Sequence, residues 1–205
     1  MNQELPDGVR PPVPQGLEPN LLVGAYCVGA FPMAVAPGEI GWFSPDPRGV
    51  LPLERFHVPH GLKRALRKAR FEMRVDTAFE AVIDGCADRD ETWIDDTIRE
   101  SYVGLHRLGW AHSVETWLDD RLVGGLYGLA IRGAFFGESM FSRVSAASGA
   151  ALVELVARLR QRGYQLLDTQ WTTDHLERFG AEEIPRSAYL EQLNEALKQH
   201  CRFRD

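Results

Sequence analysis

Apolar and polar residues alternate over 71–75 as in a strand, and Thr77-Ala-Phe-Glu80 then has the spacing of a capping box that opens a helix with Phe79, Val82, Ile83 and Cys86 on one face. A second helical pattern starts near Thr92, runs through Ile94, Ile98, Tyr102 and Leu105, and stops at Gly109. The period then shortens to 2. Residues 112–118, 121–131 and 134–139 read as three strands joined by turns at Asp119-Asp120 and Arg132-Gly133, which predicts an antiparallel meander. A helix is expected over 148–162, ending at Gly163, then a short buried strand over 164–168. Helices over 173–179 and 187–199, the second with Ser187 as N-cap, close the chain. The first 60 residues are different. Pro and Gly are frequent there, with turns at Ala36-Pro-Gly38 and Ser44-Pro-Asp-Pro47, so short strands wrapped by loops are expected to pack on something larger.

Helix, helix, antiparallel strands, helix, strand, helix is the order of an α+β, acetyltransferase-like fold, whose sheet splays open to admit an acyl donor and an amine acceptor from opposite sides. Fold alone does not give a function.

Composition narrows the classes. The 205 residues are 44% hydrophobic and 25% charged, ordinary values for a globular chain. The lead up to Asn20 has no apolar segment like that of a signal peptide, and no run approaches a membrane span, so a cytoplasmic protein without a membrane partner is expected. Cys27, Cys86 and Cys201 form no CxxC pair, and the six histidines show no HxxxH or HExxH spacing. Neither a metal nor a covalent nucleophile is therefore expected, and no Walker loop suggests ATP; the reading calls for no cofactor.

The net charge of −6 hides an uneven distribution. Lys63, Arg64, Arg67, Lys68, Arg70 and Arg74 fall within 15 residues that contain one acid, Glu72, leaving that segment at +5 and the remainder at −11. On a helix Leu62, Leu66 and Ala69 make an apolar stripe, beside Lys63, Arg67 and Arg70 on a polar face. Such a face either meets phosphates or is simply solvated.

Candidate chemistry gathers at two places. In Phe135-Phe-Gly-Glu-Ser-Met-Phe-Ser142, Glu138 stands among aromatics, where an unpaired carboxylate is costly; it is paired, at an edge, or reserved for a ligand. Phe135, Phe136, Met140 and Phe141 read as core or as pocket. In Leu166-Leu-Asp-Thr-Gln170, Asp168 and Gln170 point to the same side of a strand end and either act on one reacting group or close a turn. Trp42 and Trp93, next to loops, are buried or available to stack on a nucleobase, a contact worth about 1–3 kcal/mol.

Longer stretches carry a resemblance. Gly24-Ala-Tyr-Cys-Val-Gly-Ala-Phe-Pro-Met33, Trp42-Phe-Ser-Pro-Asp-Pro-Arg48, Ala111-His-Ser-Val-Glu115, Leu126-Tyr-Gly128, Phe135–Ser142, Asp168-Thr-Gln170 and Phe179-Gly-Ala181 are similar, in sequence and in order, to the leucyl/phenylalanyl-tRNA–protein transferase family. The resemblance implies a small N-terminal β-containing domain over residues 1–60 and an acetyltransferase-like catalytic domain over 61–205. It implies transfer of Leu or Phe, and possibly Met, from aminoacyl-tRNA (Leu-tRNA, Phe-tRNA) to the N-terminal amine of acceptor proteins beginning with Arg or Lys, an N-degron tagging step in protein degradation.

By the same resemblance Asp168, Gln170 and Glu138 are catalytic, and Trp42, Trp93, Phe135, Phe136, Gly137, Ser139, Met140 and Ser148 bind substrate. Lys63, Arg64, Arg67, Lys68 and Arg70 would then contact tRNA. One departure is Ala147-Ser-Gly149, where the family usually has a lysine after Ala-Ser. The ester already holds the driving force for aminolysis, and an α-amine with a pKa of about 7.7–8.0 needs only a modest shift or a proton acceptor. Asp168 would hold or deprotonate the amine through Gln170. Two other readings stay open. An acetyl-CoA-dependent N-acyltransferase would want a glycine where Arg143-Val-Ser-Ala-Ala-Ser148 has Ala146, and a non-catalytic tRNA-binding module would have no need of Glu138, Asp168 and Gln170 together.

Overall fold

A computed structural model of the chain describes residues 16–36 and 38–204. The lead over 1–15 and Pro37, within the turn expected at Ala36-Pro-Gly38, lie outside the described residues. The elements are α1 (Pro19–Cys27), β1 (Phe31–Ala36), β2 (Glu39–Phe43), β3 (Arg48–Val50), α2 (His60–Lys68), β4 (Glu72–Val75), α3 (Phe79–Ala87) and α4 (Asp96–Arg107). After them come β5 (Ala111–Leu118), β6 (Arg121–Ile131), β7 (Ala134–Ser142), α5 (Ala147–Gln161), β8 (Leu166–Gln170), α6 (Asp174–Glu177), β9 (Glu182–Ile184) and α7 (Arg186–Leu197).

A seven-stranded mixed sheet runs β4-β5-β6-β7-β8-β3-β9, and β1 pairs with β2 in a separate antiparallel hairpin. The meander β5-β6-β7 is as the alternation predicts, and α5 crosses over to bring β8 parallel to β7. This is an α+β fold in which an antiparallel meander leads through a crossover helix into a splayed parallel pair, the acetyltransferase-like arrangement. Alternate residues face opposite layers. On β6, β7 and β8, Tyr127, Phe136 and Leu166 join one core with residues of α1, α3, α4 and α7, while Leu126, Phe135 and Leu167 join a second under α5.

The N-terminal stretch departs from the expected strands and loops, because it begins with a helix. Pro19 in the first turn and a Glu18 side chain accepting from the Leu21 amide start α1, and Leu22 and Tyr26, one turn apart, are fully buried. Leu21 and Val28 stand exposed, so apolar residues mark no single face. β3 is a strand of the large sheet, although it falls in the stretch expected to form the small domain.

Three helix starts also differ from the local reading. No capping box forms at α3: the buried carboxylate of Glu115 accepts from the amides of Thr77 and Ala78 and from the Thr77 hydroxyl, while Glu80 turns outward to Arg99 and Arg107. α4 begins beyond Thr92, because Asp95 caps it by accepting from the Ile98 amide at 2.8 Å. Ser187 lies inside α7 rather than at its cap; Pro185 precedes the first turn, and the Arg186 amide donates to Asp46 Oδ1 at 3.0 Å.

Candidate active site

The site begins with an irregularity between β6 and β7. Tyr127 faces Ser139 and Gly128 faces Gly137, which leaves Glu138 as an extra residue on β7. Such a bulge bends the strand and re-aims a side chain. Gly128 permits it: a Cβ there would lie 2.1 Å from the Phe136 carbonyl oxygen. β7 and β8 pair only over Ala134–Phe136 with Leu166–Asp168, and beyond this they part. Glu138 and Gln170 face each other across the opening, Nε2 of the amide 3.4 Å from Oε1 of the acid.

Two side chains on this sheet edge hold opposite electrostatic positions. Asp168 is fully buried, and its oxygens accept from Arg48 Nε (2.9 Å), Arg48 Nη2 (2.6 Å), the Tyr189 hydroxyl (2.8 Å) and the Gln170 amide (2.8 Å). Four donors fill the lone-pair positions of a carboxylate. Arg48, equally buried, also donates to the Gly29 carbonyl at 2.8 Å and lies over the rings of Tyr189 and Phe31. The last of the four contacts fixes Gln170, whose φ of +60° is one a non-glycine residue adopts only when its surroundings enforce it. The neighbouring Gly49 allows the same turn to close, since a Cβ on it would lie 2.4 Å from the Trp171 backbone. Asp168 is thus closed off from the solvent, and its bond to the Gln170 amide fixes the backbone from which that side chain projects.

Among the described residues no cation forms an ion pair with Glu138. Its carboxyl accepts from the hydroxyls of Tyr26 (2.7 Å) and Tyr102 (3.0 Å), which also touch one another. Burial pushes its pKa up to about 8, against the downward pull of the two tyrosines and of Arg48, and the charge on Asp168 adds to the rise. A carboxyl that titrates in the neutral range, in a cleft, is the property expected of a proton-handling group.

The opening leads into a cavity of about 470 Å³ with two unlike walls. On the α5 side Leu126, Met140, Leu152, Leu155 and Leu167 make an apolar chamber. On the other side stand Phe31, Met33, Arg89, Trp93 and Tyr127. Two buried hydroxyls of residues that line it, Tyr127 OH and Thr169 Oγ1, have no hydrogen-bond partner among the described residues.

Of the residues expected here, Glu138, Gln170, Trp93, Gly137, Ser139 and Met140 line the cavity. Phe135 and Phe136 do not: Phe135 is fully buried against Phe203 and Phe136 against Tyr26. The structure corrects that expectation, because aromatic strand residues fill the core on both faces just before the bulge. Trp42 is 42% exposed on β2, away from the cavity, and the Ser148 amide donates to Ser142 Oγ at the start of α5. Arg48, Tyr26, Tyr102 and Tyr189 complete the site without having been singled out.

α2 forms as the amphipathic pattern predicts, with Lys63, Arg64, Arg67 and Lys68 exposed on it and Arg70 exposed just beyond its end. Leu62 seats the helix on α5 at Gly149, where a Cβ would lie 2.8 Å from its Cδ2. The departure at Gly149 thus makes room for the basic helix.

Two family models cover nearly the whole described chain: residues 50–194 match leucyl/phenylalanyl-tRNA protein transferase, and residues 16–46 match that family's N-terminal domain. The chain belongs to the leucyl/phenylalanyl-tRNA–protein transferase family. A leucyl/phenylalanyl-tRNA–protein transferase of Paramagnetospirillum magneticum is 55% identical over 193 residues, covering 91% of this chain and 92% of that one. One of Rubrobacter xylanophilus is 55% identical over 183 residues, covering 89% and 96%. As a member of this transferase family the protein is an aminoacyltransferase. Among solved structures, the L-PGS of Bacillus licheniformis superposes with a TM-score of 0.46 at 9% identity, covering 76% of this chain and 66% of that one. A ribosomal-protein-alanine N-acetyltransferase of Brucella melitensis biovar Abortus superposes at 0.37 and 14%, covering 53% and 86%. Among the described residues no helix is long and apolar enough to cross a membrane.

Proposed function

We propose that this transferase moves Leu or Phe, and also Met, from aminoacyl-tRNA to the α-amine of cytoplasmic proteins beginning with Arg or Lys, marking them for degradation. The observation that carries the reading is the facing pair Glu138 and Gln170 at the mouth of an apolar chamber. The transferred side chain lies in the chamber of Leu126, Met140, Leu152 and Leu167, each buried methylene contributing about 0.8 kcal/mol. The flexible thioether of Met140 lets the chamber adapt to more than one occupant. The terminal adenosine stacks on Trp93, and the exposed cations of α2 meet phosphates of the acceptor arm.

The acceptor enters from the opposite side as an ammonium group drawn to Glu138. Ionised Glu138 takes a proton from it, Gln170 holds the nitrogen against the ester carbonyl, and the nitrogen attacks the carbonyl carbon. The bond to the ribose oxygen breaks, that oxygen leaves with a proton, and an amide remains. Holding donor and acceptor in line supplies much of the acceleration, up to about 7–11 kcal/mol in favourable intramolecular models. Asp168 and Arg48 are positioning residues, acting through the Gln170 backbone.

An acetyl-CoA donor fits less well. The turn into α5 offers its first amides to Val144 and Ser142 rather than to a pyrophosphate, and it places Ala146, not glycine, at φ +73°. The test is transfer of labelled Leu from Leu-tRNA to an Arg-initiated peptide, with acetyl-CoA as the control donor. Leucylated product supports the reading; acetylated product with no leucylation refutes it.

A further inference from the structure

Arg89 lies in the connection between α3 and α4 and lines the same cavity as Trp93 and Tyr127. Its Nη2 donates to the Met140 carbonyl at 3.0 Å and to Ser139 Oγ at 3.3 Å, so one corner of the guanidinium is pinned to the bulged strand. The other N–H groups have no acceptor among the described residues, and the side chain is exposed. Asp88, Asp90 and Glu91 stand beside it in the sequence, yet no carboxylate among the described residues pairs with it. The cavity also holds the buried Tyr127 hydroxyl, which has no hydrogen-bond partner among the described residues and leaves an incomplete polar surface there.

A half-fixed arginine with no carboxylate partner, lining one cavity with an indole and an orphan hydroxyl, suits a nucleotide: base on Trp93, a sugar hydroxyl to Tyr127, phosphate to the free edge of the guanidinium. We propose that Arg89 binds the 5′-phosphate of the donor's terminal nucleotide and so sets how far the ester reaches between Glu138 and Gln170. The inference rests on the aminoacyl-tRNA reading of the site. In it Arg89 also offsets the repulsion that the carboxylates around the opening exert on a polyanion.

Three leucylated donors separate the possibilities: leucyl-adenosine, which has no phosphate, leucyl-adenosine 5′-phosphate, and Leu-tRNA. The quantity read is the kcat/KM advantage of each phosphorylated donor over leucyl-adenosine, in the wild type, Arg89→Ala and Arg89→Lys. In Arg89→Ala the advantage is expected to fall on the order of tenfold, the loss of one charge-assisted contact, and Arg89→Lys is expected to recover part of it. An unchanged advantage, with all donors slowed equally in a variant of wild-type Tm, makes Arg89 a brace for the bulge and overturns the proposal. A wild type that transfers from none of the three overturns the aminoacyl-tRNA reading and this proposal with it.

Discussion

Asp168 and Glu138 stand on neighbouring strands of one sheet, a few residues from where those strands part, and the protein treats them in opposite ways. Asp168 receives four hydrogen bonds, two of them from one arginine, and is fully buried. Glu138 receives only phenolic hydroxyls and an amide, faces the cavity, and has its pKa pushed up to about 8. The first arrangement makes a rigid anchor, and the second suits the proton carrier proposed above. The difference comes from what each strand edge faces: β8 is flanked by β3, which delivers Arg48, whereas the bulge turns Glu138 toward tyrosines of α1 and α4.

The largest effect should come from breaking the anchor. Arg48→Ala strands a buried carboxylate and is expected to lower unfolding free energy by about 3–5 kcal/mol, measured by urea denaturation. A loss below about 1 kcal/mol would mean that the Arg48 contacts do not anchor Asp168. Next in size, Gln170→Ala is expected to reduce transfer by about tenfold or more, roughly 1.4 kcal/mol of transition-state stabilisation, with little change in Tm. Wild-type turnover in that variant would remove Gln170 from the reaction and leave the anchor without a purpose.

The anchor was only partly legible in the sequence. Asp168 and Gln170 were visible as a carboxylate and amide two residues apart at a strand end, and Glu138 as a charge among aromatics. Arg48 sat in a distinctive stretch, but nothing local says that it crosses 120 residues of chain to reach Asp168. Tyr102 read as one more member of the apolar face of a helix, and only the packed structure shows its hydroxyl at the acid. The meander β5-β6-β7 was readable because period-2 alternation and turn residues are local. The start of α3 was not, because Glu115, 38 residues later, replaces the local cap at Thr77. Likewise Phe135 and Phe136 look like pocket residues until the sheet places both faces in core.

A smaller effect concerns stability and pH. A carboxyl whose folded pKa lies above its ordinary value favours the folded state when protonated; that contribution is complete below about pH 4.5 and is lost as pH rises toward 8. Glu138→Gln removes the dependence, so the stability of the variant relative to the wild type is expected to rise between pH 5 and 8. A constant difference across that range, read by denaturation at each pH, would contradict the burial of an ionising Glu138. Smaller still for the chemistry, reversing charge at Lys63, Arg64 and Arg67 is expected to raise the KM for tRNA and flatten its salt dependence while leaving kcat largely intact. An unchanged salt slope would put the tRNA surface elsewhere.

The most direct measurement is the pH dependence of kcat/KM for leucine transfer from Leu-tRNA to one Arg-initiated peptide, by the wild type and by Glu138→Gln. The wild type works on the acceptor's ammonium form with Glu138 ionised, whereas the variant must wait for the free amine, so the acceptor's titration enters the two profiles oppositely. The wild-type advantage is expected to be level below about pH 8, the value to which the Glu138 carboxyl is pushed up, and to fall above it, where the acceptor supplies its own free amine. A ratio that stays flat from pH 6 to 9 would show that Glu138 does not carry the amine's proton.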